Sequence, residues 1–295
     1  LETRKQVIYM EDKANGENRF KEIFKIIFKG IELLTLIFMI VIFAFPFIWM
    51  ISTSLKTTQE AIMIPPTIIP SEMMIENYIK AWSSGPFFRY LGNSLFITMS
   101  ILVLQFVVMI PAAYAFSKFK FKGNKFLFGI ILTGLMVPPQ ITFLPVYKMM
   151  SNLGLINTYI PLILPFITSS FGIFLLRQNF MQIPNEIIDA AKLDNSTDFK
   201  IMWKIMLPMA KPAMITFGLF SFIYHWNNYF WPLVMSNTDL VRTLPIGVAM
   251  LKDSEGIVNW NVVMAGNVML TAPILIIYIF LNKQIKKAFA YSGIK

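Results

Sequence analysis

The chain contains no cysteine and a single histidine, His225. Disulfides, thiolate metal sites and cysteine nucleophiles are therefore excluded, and one imidazole cannot build a zinc triad. Charge is scarce too. Asp, Glu, Lys and Arg make up 14% of the 295 residues, whereas a soluble domain carries roughly a quarter. Glu32 is the one acid inside any long apolar segment, and no internal repeat stands out. That argues against a proton- or sodium-coupled carrier, which works through buried acids and inverted repeats. The sequence has no HExxH, no GxGD and no Walker lysine loop. Neither an intramembrane enzyme nor an ATP site within this chain has the residues it would need. Strict alternation over ten-residue stretches, the mark of a membrane β-barrel, is missing as well.

What is present is apolar: 56% of the residues are hydrophobic. A helix needs about 20 such residues to cross a hydrocarbon core. Six segments meet that length, at about 31–53, 94–116, 126–147, 158–176, 212–235 and 262–281. The fold class expected is all-α, a polytopic membrane protein of six transmembrane helices. The first apolar run begins near residue 31 and is long enough to span, so it is expected to stay in the membrane rather than act as a cleaved signal. The net charge of +10 could suggest nucleic acid, but its distribution tracks topology. With the N-terminus inside, twenty of the 26 Lys and Arg fall in the N-terminal segment, the 117–125 loop, the region from Arg177 to Lys211 and the tail. Six (Lys56, Lys80, Arg89, Lys148, Arg242 and Lys252) fall outside. By the positive-inside rule both termini are expected in the cytoplasm.

The expected organisation is a cytoplasmic segment over 1–30, a membrane domain over 31–283 and a cytoplasmic tail over 284–295. Within the first, FKEIFKIIFK at 20–29 sets Phe20, Ile23, Phe24 and Ile27 on one face and Lys21, Lys25 and Lys29 on another. That pattern suits a basic amphipathic helix at a membrane surface, or an extension of the first span. Residues 56–90 form the longest outer connection, broken by Pro65, Pro66 and Pro70, with a short surface helix expected from Asn77 to Trp82. In the third span, Pro138-Pro139 and Pro145 are expected to bend or break the helix.

Residues 184–208, PNEIIDAAKLDNSTDFKIMWKIMLP, interrupt the apolar pattern with two short amphipathic helices. Pro184 suits a first helical turn, and Glu186 follows where the helix dipole favours an acid. Ile187, Ile188 and Ala191 would form the apolar side, with Asp189, Lys192 and Asp194 facing elsewhere. Ala190 and Ala191 permit close approach of another surface. Asn195 tolerates a left-handed turn better than other non-glycine residues. Ser196 or Thr197 can cap the second helix, which would bury Ile201, Ile205 and Met206 and stop at Pro208.

This segment resembles the EAA loop of bacterial ABC-importer permeases. Asp189-Ala190-Ala191 takes the place of Glu-Ala-Ala, Asn195 stands at the glycine, and Ile205-Met206-Leu207-Pro208 closes at the family spacing. Asp for Glu keeps the charge and shortens its reach; Asn for Gly keeps the bend and adds a side chain. Further matches point to the sugar-importing, MalG-like branch. They are Ser54-Leu55-Lys56, Asn77-Tyr78, Asn93-Ser94-Leu95, Trp226-Asn227-Asn228-Tyr229, Thr243-Leu244-Pro245 and the Gly293-Ile294-Lys295 ending. The resemblance covers most of the chain and implies a MetI-like membrane core in the bacterial cytoplasmic membrane. It implies a transport subunit rather than an enzyme, paired with a second permease and two cytoplasmic ATPases that bind ATP and Mg. An extracytoplasmic binding protein would deliver a sugar or oligosaccharide. Glu186, Asp189, Ala190, Ala191, Asn195 and Pro208 would then form the ATPase-coupling surface. A permease for a non-sugar solute is the alternative, because the EAA loop is shared across importers.

In the fifth span Ser221, Tyr224, His225 and Asn228 lie at i, i+3, i+4 and i+7, on one helical face. Polar groups in a membrane usually face a bundle or a water-filled cavity. Two readings follow: a pathway lining for a hydroxyl-rich cargo, or hydrogen bonds between helices. Trp226 and Trp231 are candidates for interfacial anchors.

Overall fold

The structure, a computed structural model, describes the backbone of residues 2–252 and 258–293 and the side chains of residues 24–25, 27–252 and 258–282. The side chains of Phe20, Lys21 and Ile23, the acids Asp253 and Glu255, and the Ile294-Lys295 ending lie outside the described residues. Among the described residues every regular element is helical.

The chain opens with a long helix, α1 (Glu2–Ser54), followed by the one-turn α2 (Thr58–Ala61), α3 (Glu76–Ser83) and α4 (Phe87–Lys118). Next come α5 (Asn124–Thr133), α6 (Pro139–Asn152) and α7 (Ile160–Ile163), which runs through a 3-10 turn at Leu164–Phe166 toward α8 (Ser170–Gln182). The polar gap holds α9 (Asn185–Leu193), α10 (Asp198–Ile201), a π-turn over Met202–Met206 and α11 (Leu207–Met209). The last group is α12 (Lys211–Trp226), α13 (Phe230–Met235), α14 (Leu244–Met250) and α15 (Trp260–Gly293).

Among the described residues four stretches are long and apolar enough to cross a membrane (Ile27–Ser54, Phe87–Lys118, Ile160–Gln182 and Trp260–Asn282), and the bent pair Asp198–Met209 and Lys211–Trp226 makes a fifth if taken as one span. The segments expected as single spans at 126–147 and 212–235 are not single helices. The first breaks between α5 and α6, where Gly134 and Pro138-Pro139 interrupt the backbone ladder. The second breaks after Trp226. There the amides of Asn227 and Asn228 turn back to Ile223 and His225, and the Asn228 carboxamide accepts from the Trp231 amide at 3.3 Å.

α4 is the central element and packs against both α8 and α12, while α1 and α12 pack against α15. Through most of its apolar length α1 buries nothing, and it becomes enclosed only at Ser52, Thr53 and Ser54. Its apolar sides are therefore free to meet lipid or another protein.

The end of the bundle holding Ser54, Asn77 and Asn93 is stapled by side-chain amides. Asn77 is fully buried and donates to the carbonyls of Ser54 (2.9 Å) and Lys56 (2.8 Å). Asn261 donates to the Asn77 carboxamide at 3.0 Å and brings in the start of α15. The helix expected on the surface from Asn77 to Trp82 therefore has a buried side, at Asn77 and Ala81. Lys56 is also buried. Its ammonium donates to the Thr67 carbonyl and lies 4.6 Å from the centre of the Trp49 ring. Asn93 donates to Leu240 O (3.0 Å) and Arg242 O (2.8 Å) and accepts from Tyr159, while Ser94 accepts the Leu244 amide at 2.8 Å. The short motifs spread over almost 200 residues of sequence thus meet as a framework.

Asp239 belongs to the same framework, accepting from Tyr90 at 2.7 Å and Arg242 at 2.8 Å. The hydrogen bonds from Tyr90 and from Arg242, with the nearby Arg242 and Arg89 charges, hold its carboxyl below the ordinary value of 3.8 against a smaller opposing effect of burial. A depressed carboxylate stabilises the fold above its unfolded value and loses that contribution as pH falls through the folded one. Thermal unfolding of the detergent-solubilised protein should therefore lose a component only below pH 3.8. Asp239→Asn should lower the midpoint at neutral pH and flatten that acid limb. An acid limb identical in the two proteins would show that Asp239 contributes nothing to it.

The two tryptophans considered as interfacial anchors are core residues. Trp226 is buried and donates to Leu270 O at 2.9 Å; Trp231 is buried and donates to Pro161 O at 2.8 Å. Satisfying each indole N–H lets these large rings fill the interior without an unpaired donor.

Candidate functional site

The polar gap folds as a platform on the Lys118 end of α4. Lys118 ties it down, donating to Ile183 O at 2.7 Å and to the Asn185 carboxamide at 3.0 Å. Tyr114 donates to Asp198 at 3.3 Å, and Arg177 joins α8 to α4 by donating to Phe116 O at 3.1 Å. Beneath the platform, Ile188, Ala191, Ile201, Met202 and Met206 are buried with Tyr114, Phe180 and Phe217 in one apolar cluster. Ile188 and Ala191 therefore form the buried side as expected, whereas Ile187 is exposed; Met202 joins the buried side. Glu186, Asp189, Ala190, Asn195 and Pro208 are all exposed, and Ala191 is buried. The five exposed residues can meet a partner directly; Ala191 supports them from below.

The turn after α9 is a Schellman closure. Asn195 sits at φ 54°, with its amide donating to Lys192 O at 3.0 Å and the Ser196 amide donating to Ala191 O at 3.0 Å. The left-handed residue expected at the glycine position of the motif is thus present. Thr197, not Ser196, caps the next helix, accepting the Lys200 amide at 3.3 Å.

That second helix does not stop at Pro208. It continues through the proline to Met209 and bends by 78° into α12 at Ala210. A proline inside a helix removes a donor and crowds the carbonyl four residues back. The π-turn over Met202–Met206 widens the preceding turn, with Leu207 N–H bonding to Met202 O five residues back, and accommodates the ring. The platform is consequently joined to α12 through a short, irregular elbow.

α12 carries the polar face. Its organising residue is Gln105 of α4, which the sequence patterns did not single out. The Gln105 side-chain amide donates to Phe166 O at 2.9 Å, and its carbonyl accepts from Ser221 at 2.6 Å. A carbonyl can only accept, so this arrangement fixes which way the Gln105 amide points. The His225 Nε2 lies 3.4 Å from the Gln105 nitrogen, and its ring meets Phe166 edge-on. Ser221 and His225 are thus brought together, joining α4, α12 and the 3-10 turn. Tyr224 is exposed, and Asn228 lies beyond the end of α12, its carboxamide accepting the Trp231 amide of α13. The four residues do not form one face: helix α12 ends before the last of them.

Three comparisons bear on this arrangement. Residues 108–291 match the family described as binding-protein-dependent transport system inner membrane component. The chain is 34% identical over 268 residues to the arabinooligosaccharides transport system permease protein AraQ of Halalkalibacterium halodurans, covering 89% of this chain and 96% of that protein. It is 32% identical over 262 residues to the sn-glycerol-3-phosphate transport system permease protein UgpE of Brucella abortus, covering 86% of this chain and 93% of that one. Among solved structures, a bacterial ABC transporter involved in the import of the acidic polysaccharide alginate superposes with a TM-score of 0.78 at 24% identity, over 87% of this chain and 96% of its counterpart. At that identity the likeness concerns the fold.

Proposed function

Because the chain belongs to the family of binding-protein-dependent transport system inner membrane components, and is thus a membrane-spanning ABC-importer permease rather than an enzyme, we propose that its cargo is a neutral sugar or oligosaccharide. The middle of the bundle supports that cargo. Between Arg89 and Lys118 of α4, and from Pro212 through Trp226 of α12, no Lys, Arg, Asp or Glu occurs. A phosphorylated or acidic solute would call for a cation there. The exposed Tyr224 ring beside His225 suits a hydroxyl-bearing ring instead.

On this reading the chain pairs with a second permease, receives cargo from an extracytoplasmic binding protein, and binds no cofactor itself. ATP and Mg belong to two ATPase subunits, one docked on this platform and the other on that of the second permease. The Asn195 end and both termini lie in the cytoplasm, and the Asn77 end faces outward. Glu186, Asp189, Ala190 and Asn195 would contact the ATPase, Ala191 would brace them, and Pro208 would shape the elbow. Ser221, Tyr224 and His225 would border the pathway, with Asn228 at its outer end. The observation that carries the reading is mechanical. An exposed platform, locked to α4 and α8 from beneath, connects through one 78° elbow to the helix that bears His225. A closing ATPase pair could tilt that helix by moving the platform.

The test begins with purification of the tagged protein from its native membrane and identification of what accompanies it. A second permease and a Walker-containing ATPase should be recovered. Their ATP hydrolysis should rise with a neutral oligosaccharide and its binding protein, and not with glycerol 3-phosphate. Asp189→Lys, at equal abundance, should lower both sugar uptake and sugar-stimulated hydrolysis by about tenfold, as expected for losing one charge-assisted contact of 1–2 kcal/mol. Recovery of this chain alone, or normal transport by Asp189→Lys, would count against the partner assignment or the Asp189 contact respectively.

A further inference from the structure

We propose that the groove beside the elbow is a binding site for an anionic phospholipid of the inner leaflet. A cavity of about 650 Å³ lies among α4, α12 and α15. Its walls include Leu102 and Phe106 of α4, Gly218 and Phe222 of α12, and Ile277 of α15. Leu207, Pro208 and Lys211 line its end at the elbow, and Lys211 is the one charged lining residue among the described residues. The glycine contributes room, since a side chain at Gly218 would approach the Phe106 ring at 3.3 Å.

Length and charge identify the occupant. From Lys211 to Phe222 the α12 wall rises about 16 Å at 1.5 Å per residue. That is about half of a hydrocarbon core of roughly 30 Å, so the groove suits a chain from a single leaflet. A crossing helix of a partner would need a slot through both leaflets. The lining is apolar along its depth and cationic at its elbow end, which matches an acyl chain topped by a phosphate. Lys211 is on the platform side, so a lipid whose phosphate meets it comes from the leaflet on the Asn195 side. Seated there, its phosphate would hold Lys211 at the hinge between the platform and α12, and bilayer charge would influence how easily the elbow bends. Naming the inner leaflet rests on the orientation proposed above; the groove and Lys211 need only the membrane placement of the bundle, so failure of the inference would leave the importer reading standing.

The experiment uses the complex as purified, placed in nanodiscs that contain phosphatidylglycerol with a photoreactive group on its acyl chain. Parallel nanodiscs contain the equivalent phosphatidylcholine. After illumination, labelled peptides are mapped by mass spectrometry. Phosphatidylglycerol should label residues 99–106 and 214–222 at least threefold more than phosphatidylcholine. Lys211→Glu should abolish that preference, Lys211→Gln should weaken it, and Lys211→Arg should keep it. Equal labelling by the two lipids, or a preference unaffected by Lys211→Glu and Lys211→Gln, would reduce the groove to ordinary lipid contact. Protein–protein crosslinks from a photoreactive residue placed at Leu102, without lipid labelling, would show that a partner helix fills it, and would overturn the proposal.

Discussion

Asn195→Val is expected to reduce uptake about tenfold at matched membrane abundance, while Asn195→Gly transports within about twofold of the parent. The reasoning rests on one backbone angle. At φ 54° a β-branched residue meets steric conflict, at a cost of about 1–2 kcal/mol, equivalent to a factor of about 5–30 in the balance between the native turn and alternatives. Glycine adopts the same angle without that conflict. The Asn195 side chain is exposed, so replacing it removes no core packing and the change acts on the turn. What the turn secures is the pairing of Asn195 N–H with Lys192 O and of Ser196 N–H with Ala191 O, and with it the angle at which Asp189 and Ala190 are presented. The informative measurement combines uptake with ATPase binding to the permease. Asn195→Val should lose ATPase affinity with its membrane core intact by thermal unfolding. A valine variant that transports normally would show that the turn geometry is not what the partner requires.

The sequence exposed this turn because local chemistry dictates it: a residue tolerant of positive φ, a threonine cap three residues before Lys200, and acids at both helix starts all lie within a few positions. The framework at the other end was legible only as separate short motifs. Asn77, Asn93, Ser94 and Asn261 each bond to backbone that is distant in sequence, and nothing in their local context says which carbonyls they will meet. The break after α12 is hidden in the sequence for a related reason. Periodicity places Asn228 on the face of Ser221, yet α12 ends at Trp226 and the Asn228 carboxamide accepts the Trp231 amide of α13 instead. Likewise Pro208, a helix stop by local rules, is carried by the π-turn that precedes it. Gln105 is a lone glutamine in an apolar run and carries no spacing signal. Its role exists only once α4, α12 and the 3-10 turn are assembled. A useful cue would have been its chemistry: a primary amide in the middle of a span needs partners for two donors and an acceptor.

Gln105→Leu is the sharpest test of that node. Leucine has nearly the right size, so the change removes hydrogen bonds with little change in volume. It strands the Ser221 hydroxyl, which is buried with Gln105, and the part-buried Phe166 carbonyl. Left unpaired, such groups cost about 1–3 kcal/mol each. Ser221 has an escape, because its hydroxyl can turn to the carbonyl four residues back in its own helix. Interhelical hydrogen bonds in membranes are also measured at only about 0.6–2 kcal/mol. The expected loss is therefore about 2 kcal/mol, set mainly by the Phe166 carbonyl. Ser221→Ala alone should cost less than half of that. The double variant should fall short of the sum by at least 0.5 kcal/mol, as coupled neighbours do. Gln105→Glu should be worse than Gln105→Leu if the carboxyl ionises, since a charge at a span centre costs about 2.5–3.5 kcal/mol or more. Transport separates a purely structural node from one bordering the pathway. Freed from Gln105, His225 loses one of the contacts that orient it beside Tyr224. The KM for sugar-stimulated ATP hydrolysis should then rise by more than the loss of folded protein explains. Strict additivity of the two substitutions would show that Gln105 and Ser221 act independently. An unchanged KM in the surviving Gln105→Leu protein would confine the node to holding helices together.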